Sequence, residues 1–290
     1  MPGIGSMLRR GLGRALLLTS AVTASLPAQR PPDVARERAE YAAWLTGAPT
    51  SPFAAIAQQP IGAGLRLGPP DADVPLEGIA EHRVVERDGI VRLESAASAR
   101  VMPRGVPIRL GDFTLTADGP TGRAALTVFG PRRSARAPVY YGLQPSLVFV
   151  GPLAPPERPA TERVLGVDGI EVEAAEAGSV VVPVAGERVR LRVLRVPSGD
   201  GEESELEIFF RDGTNGQGTY PAGRFVSLVP EPDGRYRLDF NRARNPFCAY
   251  SSAYACPAPW RGNVFAGKIA AGERYQPHGV GAPPVARDSR

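Results

Sequence analysis

The residues best suited to chemistry gather between Phe209 and Asn263. Asp212, Thr214, Tyr220, Arg224, Asp239, Asn241 and Asn245 lie there among apolar, strand-like runs, with Cys248 and Cys256 close behind. Aspartates near an arginine suit two kinds of role. One is general-base work by Asp212 or Asp239 with Arg224 as an anion clamp, the hydrolase reading. The other is an ion pair that pins loops without catalysis. Thr214, Asn215, Gly216 and Gly218 form a loop able to cradle an anion on backbone N–H groups. It lacks the lysine and following helix of a phosphate-binding P-loop. Tyr250, Tyr254 and Trp260 add aromatic surface that packs over a sheet end or lines a ligand pocket. The leading expectation is a binding or interaction protein for an unidentified small molecule or protein. A hydrolase and a purely structural protein are the alternatives.

Cys248 and Cys256 invite a disulfide across the short loop between Asn245–Pro246 and Cys256–Pro257, given the export reading below. A nucleophilic or redox cysteine is the other reading, and it has no histidine within sequence reach to act as base. The only histidines, His82 and His278, lie far from the cysteines and from each other. A structural zinc site draws four ligands from Cys, His and carboxylates, so no metal and no cofactor is expected.

These residues need a scaffold, and the 290-residue chain is long enough to build one with substantial cores. Residues 1–28 have the form of an export signal: Arg9, Arg10 and Arg14, then a short apolar run from Ala15 to Leu26, then a cleavage point near Ala28. A secreted or periplasmic location follows from that reading. No other segment is long and apolar enough for a membrane helix. Taking the three signal arginines from the 34 basic residues leaves 31 against 30 acidic ones. Such a balance gives no electrostatic footprint for nucleic acid.

Residues 29–60 read as a helical N-terminal segment. Asp33 caps a helix to about Thr46, and Ser51–Pro52 starts a second short one through Ala57. From Ile61 the period changes to short strands bounded by Gly, Pro and Asp88–Gly89, the pattern of a β-sandwich over 61–150. A Pro-rich linker over 151–163 follows. A second antiparallel β domain, sandwich or barrel, is expected over 164–275, with a last strand from Val264 to Ile269. Residues 276–290 read as a flexible tail, with polar character from Arg274 onward. The fold class is mainly β.

Two resemblances add to this. Leu67–Gly68, Ala72 to Leu76, Gly78 to His82, Asp88–Gly89 and Leu110-Gly111-Asp112 before Phe113 follow the rhythm of a forkhead-associated domain. Residues 65–117 resemble the core of that eleven-strand sandwich, which usually binds phosphothreonine. Pro69 stands where the family has its phosphate-reading arginine, and Ile79 where it has a serine. Without those groups a phosphate has little to pair with, so the resemblance implies the fold and not a phosphopeptide ligand. His82 falls at the family's structural histidine.

The second resemblance rests on Phe210-Arg211-Asp212, Thr214, Gly218-Thr219-Tyr220, Ala222 to Phe225, Asp239-Phe240-Asn241, Ala243, Asn245-Pro246, Cys248-Ala249-Tyr250, Cys256-Pro257, Pro259, Asn263 and Ala271-Gly272-Glu273. This pattern resembles a bacterial family catalogued as domain of unknown function 1684. Phe247 and Trp260 stand where that family usually has prolines. The resemblance sharpens the list of candidate residues and implies no activity.

Overall fold

The structure is a computed structural model that describes residues 33–131, 135–198 and 203–277. The expected export signal over 1–28 and His278 lie outside the described residues. Helix α1 (Val34–Gly47) starts as its sequence dictates: the Asp33 carboxylate accepts from the N–H groups of Ala35 and Arg36, both at 3.1 Å. Ser51–Pro52 then yields only a single 3-10 turn over 52–54. The expected second helix through Ala57 is instead strand β1 (Ala55–Pro60), which pairs with β9 (Ala125–Phe129). One or two helical turns are marginal alone, and a ladder of partner hydrogen bonds outweighs them.

Between these lie β2 (Leu65–Gly68), β3 (Val74–Pro75), β4 (His82–Arg87), β5 (Ile90–Ser95), β6 (Ala99–Val101), β7 (Ile108–Leu110) and β8 (Phe113–Asp118). They form two sheets, ordered β1-β9-β8-β7 and β3-β2-β4-β5-β6. Leu67, Val84 and Leu93 from one sheet and Leu115, Leu126 and Val128 from the other share one core, which makes this part a sandwich. Asp88 and Gly89 both take positive φ and join β4 to β5 in a two-residue hairpin. His82 places Nδ1 2.8 Å from the Ala80 carbonyl, a local structural contact.

The second part is a seven-stranded antiparallel sheet. Its strands are β10 (Val148–Gly151), β11 (Thr161–Leu165), β12 (Glu171–Val184), β13 (Glu187–Ser198), β14 (Glu203–Phe210), β15 (Arg224–Pro230) and β16 (Tyr236–Asp239). Their order is β10-β16-β15-β14-β13-β12-β11. The runs around Val172 and Val181 form one long strand, β12, with a register shift between Glu176 and Gly178. Just past β10, Ala154 exchanges two backbone hydrogen bonds with Ser179 of β12. That bridge curls the sheet back on itself, the form in which the expected sandwich or barrel occurs. Pro183 sits in β12 beyond the stretch that pairs with β11, where a missing N–H costs no ladder bond.

The expected strand over 264–269 is not formed. Only Val264 bridges, in parallel, to Arg211, and the Gly267 carbonyl accepts from Gly213 N–H. These backbone groups are taken by the loop after β14, so no ladder extends. Nor does a loose polar tail start at Arg274. Arg274 N–H bonds the Val139 carbonyl at 2.7 Å, and Tyr275 N–H bonds Gly218 at 3.0 Å. Among the described residues no helix is long and apolar enough to cross a membrane.

Candidate functional site

The seven polar residues singled out above separate into three groups. The first is a buried latch. Asp212 leaves β14 and accepts, through Oδ1, from Thr214 N–H at 2.6 Å and Thr214 Oγ1 at 2.5 Å. Its Oδ2 accepts from Arg224 Nη2 at 2.6 Å. Both side chains of this pair are 0% exposed. Arg224 also donates to the carbonyls of Ile269 at 2.9 Å and Ala271 at 2.5 Å, and its guanidinium lies over the Phe210 ring. Burial pulls the Arg224 pKa below its ordinary value, and Asp212 opposes that shift. The Asn215 amide closes the loop onto Asp212 N–H and the Tyr220 carbonyl. Its Nη1 and Nη2 bond protein groups, its Nε is buried without a hydrogen-bond partner, and no surface is open to solvent, so Arg224 cross-links the loops and presents no donor to a solvent-borne anion. This corrects the hydrolase expectation that places it at a substrate.

Tyr220 belongs to the same latch. Its hydroxyl reaches the Cys248 carbonyl at 3.3 Å, and its ring meets Tyr275 edge to face. Burial pushes its hydroxyl up to about 12. Cys248 and Cys256 are disulfide-bonded beside it, the pairing expected of two cysteines in an exported chain. Neither is a free nucleophile.

The second group holds Asp239 and Asn241. Asp239 Oδ1 accepts from Asn241 N–H and Nδ2, each at 2.9 Å, and so caps the 3-10 turn that follows β16. Asn241 also grips Gln144 with both ends of its amide, at 2.7 and 3.0 Å. From α1, Arg38 donates to the Asn241 carbonyl at 2.8 Å and to the Tyr141 carbonyl at 3.2 Å.

The third group forms around Asn245. Its N–H donates to Glu273 Oε2 at 2.9 Å, and its Nδ2 donates to the Arg274 carbonyl. Glu273 Oε1 accepts from the Tyr250 hydroxyl at 2.6 Å, and that hydroxyl lies 3.3 Å from the hydroxyl of Tyr41 on α1. Glu273 is held in this position by Gly272. That residue has φ +74°, and a side chain there would meet the carbonyls of Ala243 and Phe240 at 2.6 and 2.7 Å. Burial pushes the Glu273 carboxyl up to about 7.

A cavity of about 390 Å³ opens between α1 and the sheet. Arg38, Arg242 and Arg244 line it together with Tyr41, Tyr140 and Asn241. Arg242 pairs with Glu37 through two bonds at 2.8 and 3.1 Å, and Arg244 pairs with Glu207 at 3.1 Å. Arg38 has no carboxylate partner among the described residues; its guanidinium sits over the Tyr140 ring at 4.4 Å. Of the seven residues singled out by sequence, only Asn241 lines this cavity. A second cavity of about 190 Å³ is lined by Asp118, Asp168, Glu205 and Glu207, and Arg244 borders both. Burial raises the carboxyls of Asp168, to about 6, and of Glu207. Among the described residues no three His, Cys, Asp or Glu side chains are arranged to hold a metal ion.

Residues 137–274 match the model of a family described as "Protein of unknown function (DUF1684)". A solved structure of an uncharacterized protein from gene locus rrnAC0354 of Haloarcula marismortui is similar to the chain at 30% identity. The match covers 48% of this chain and 76% of that one, with a TM-score of 0.40. No curated protein matches.

The matched segment contains the latch, the disulfide, Glu273 and one wall of the cavity beneath α1. The other wall is α1, which lies outside the matched residues. Sequence reasoning missed Arg38, Arg242 and Arg244. Arg242 and Arg244 flank Ala243 inside the family pattern, and that alternation was the available signal. Arg38 offered none, because its partner Asn241 is 203 residues away in the chain.

Proposed function

We propose that the protein binds a small organic carboxylate in the cavity between α1 and the sheet. Arg38 carries this reading. It is a cation at the cavity wall, bonded to two backbone carbonyls and to no carboxylate among the described residues. A guanidinium has five N–H donors in a planar fork, so these two bonds leave donors for an anion. Arg242 and Arg244 also line it, each paired with a carboxylate, Glu37 and Glu207, so Arg38 is the lining arginine without one among the described residues. Val34, Ala243 and the Tyr41 and Tyr140 rings supply an apolar wall for the body of an organic acid. The volume lies within the ordinary range for small-ligand sites.

The export reading of residues 1–28 belongs to the same proposal, supported by the basic start, the apolar run and the disulfide. So does the forkhead-associated-like reading of the sandwich, supported by its strand rhythm and His82. In this proposal the sandwich is scaffold.

The test is a thermal-shift and calorimetric titration with acetate, benzoate, succinate and inorganic phosphate. A ligand bound only by the folded state adds about 2.7 kcal/mol at a hundredfold excess over its Kd. Benzoate is expected to raise the melting temperature more than phosphate does. Arg38→Met is expected to abolish the shift while the protein stays folded. A benzoate shift unchanged in Arg38→Met would sink the proposal.

A further inference from the structure

The cavity wall is connected by hydroxyls to a buried acid. Tyr41 lines the cavity; its hydroxyl meets the Tyr250 hydroxyl at 3.3 Å, which meets Glu273 Oε1 at 2.6 Å. Tyr250 and Glu273 are 9% and 1% exposed, so water does not interrupt the chain at its inner end. Each hydroxyl has one proton to donate, and the direction of the whole chain is therefore set at Glu273.

Consider the two states. When Glu273 is a carboxylate it accepts from Tyr250. Tyr250 then accepts from Tyr41, and Tyr41 turns only lone pairs toward the cavity. When Glu273 carries a proton on Oε1 it donates to Tyr250. Tyr250 donates to Tyr41, and the Tyr41 proton is released toward the cavity. The far oxygen, Oε2, accepts from Asn245 N–H in both states.

We infer that the Tyr41–Tyr250–Glu273 chain couples anion binding in the cavity to uptake of one proton by Glu273. A carboxylate ligand is met by a hydroxyl donor in the protonated state and by lone pairs in the ionised one. The coupling rests on the proposed anion site and gives it a pH-dependent specificity.

The groups around Glu273 agree with a carboxyl that titrates near neutrality. Burial raises it first of all, to about 7, and the Tyr250, Asn245 and Arg224 contacts lower it. Tyr41 from α1 and Tyr140 from the segment before β10 face it as neutral phenols; both are themselves raised by burial and by Glu273. Arg224 from β15 stands behind it, with Nη1 3.5 Å from the Glu273 carbonyl oxygen. Below the Glu273 pKa the acid is already protonated, and binding takes up no proton. Above it, each bound anion draws in one.

The experiment is calorimetric titration of benzoate between about pH 6 and 9, in two buffers of different ionisation enthalpy. Affinity is expected to be level at the acid end and to fall about tenfold per pH unit above about 7. The buffer difference should report uptake of one proton there. In Glu273→Gln the amide oxygen still accepts from Asn245, and the amide nitrogen donates to Tyr250. That variant is expected to bind at the acid-end affinity throughout, with no proton uptake. Tyr41→Phe, a change at the half-buried cavity wall, is expected to bind more weakly and without pH dependence even if Glu273→Gln fails to fold. Benzoate affinity that does not change with pH, or proton uptake that survives in Tyr41→Phe, would overturn the coupling alone. Absence of binding at every pH would overturn the anion site, and the coupling with it.

Discussion

At the scale of single residues, polar does not mean accessible. Arg224 and Asp212 carry opposite charges at 2.6 Å in a place that water does not reach. Removing one partner leaves the other charged and buried, at a cost of about 3–5 kcal/mol. Asp212→Asn is therefore expected to lower the unfolding free energy extrapolated from urea titration by that amount and to leave benzoate affinity unchanged in the protein that remains folded. A stable Asp212→Asn protein would show that Arg224 is satisfied elsewhere. The ion-pair role was legible in the sequence, because an aspartate and an arginine bracketed a Gly-rich loop between two strands. Its depth was not: Phe210 and the segment from Ile269 to Ala271, far apart in the chain, bury the pair. Arg38 shows the converse. A half-exposed helical arginine looks like a solvated face in the sequence, and becomes a site residue only once Asn241 is brought beneath it.

At the scale of elements, strands with clear alternation matched expectation, and loops that borrow partners from afar did not. Val189, Leu191 and Val193 alternate with arginines, and β13 follows that pattern. The Pro232-Asp233-Gly234 turn joins β15 to β16 as its residue types require. Residues 55–57 read as the end of a short helix, and pairing with β9 makes 55–60 a strand instead. Residues 264–275 look like a strand and a tail, and instead wrap the latch. The Cys248–Cys256 loop is the element on which Tyr220 and Tyr250 both depend. Its disulfide closes a loop of sequence separation 8. Such a closure stabilises by about 2–3 kcal/mol in the chain-entropy model. A reductant is expected to lower the melting temperature accordingly. A melting temperature indifferent to reductant would mean that the loop is held by packing alone.

At the scale of the whole molecule, the sandwich and the curled sheet share cores. Ala125 of β9 packs with Ile170, Val172 and Phe209, and Ala54, Ala55 and Phe129 pack with Tyr220, Cys248 and Tyr254. Parts that share buried apolar side chains unfold together, because exposing one strips the other. Urea unfolding followed by tryptophan fluorescence and by far-UV circular dichroism is expected to give one coincident transition. Two separated transitions would show that the parts stand independently. Held to the sheet part by Arg38 and Arg242, α1 gives the cavity beneath it its outer wall.

Benzoate titration of the wild-type protein and of Arg38→Met is the most direct measurement of the central claim, that the cavity under α1 is an anion site. Saturable binding that disappears in Arg38→Met, in a variant that still unfolds cooperatively although it has lost two hydrogen bonds to backbone carbonyls, is the expected result. Equal binding by the two proteins, or no binding of any carboxylate by either, would contradict it.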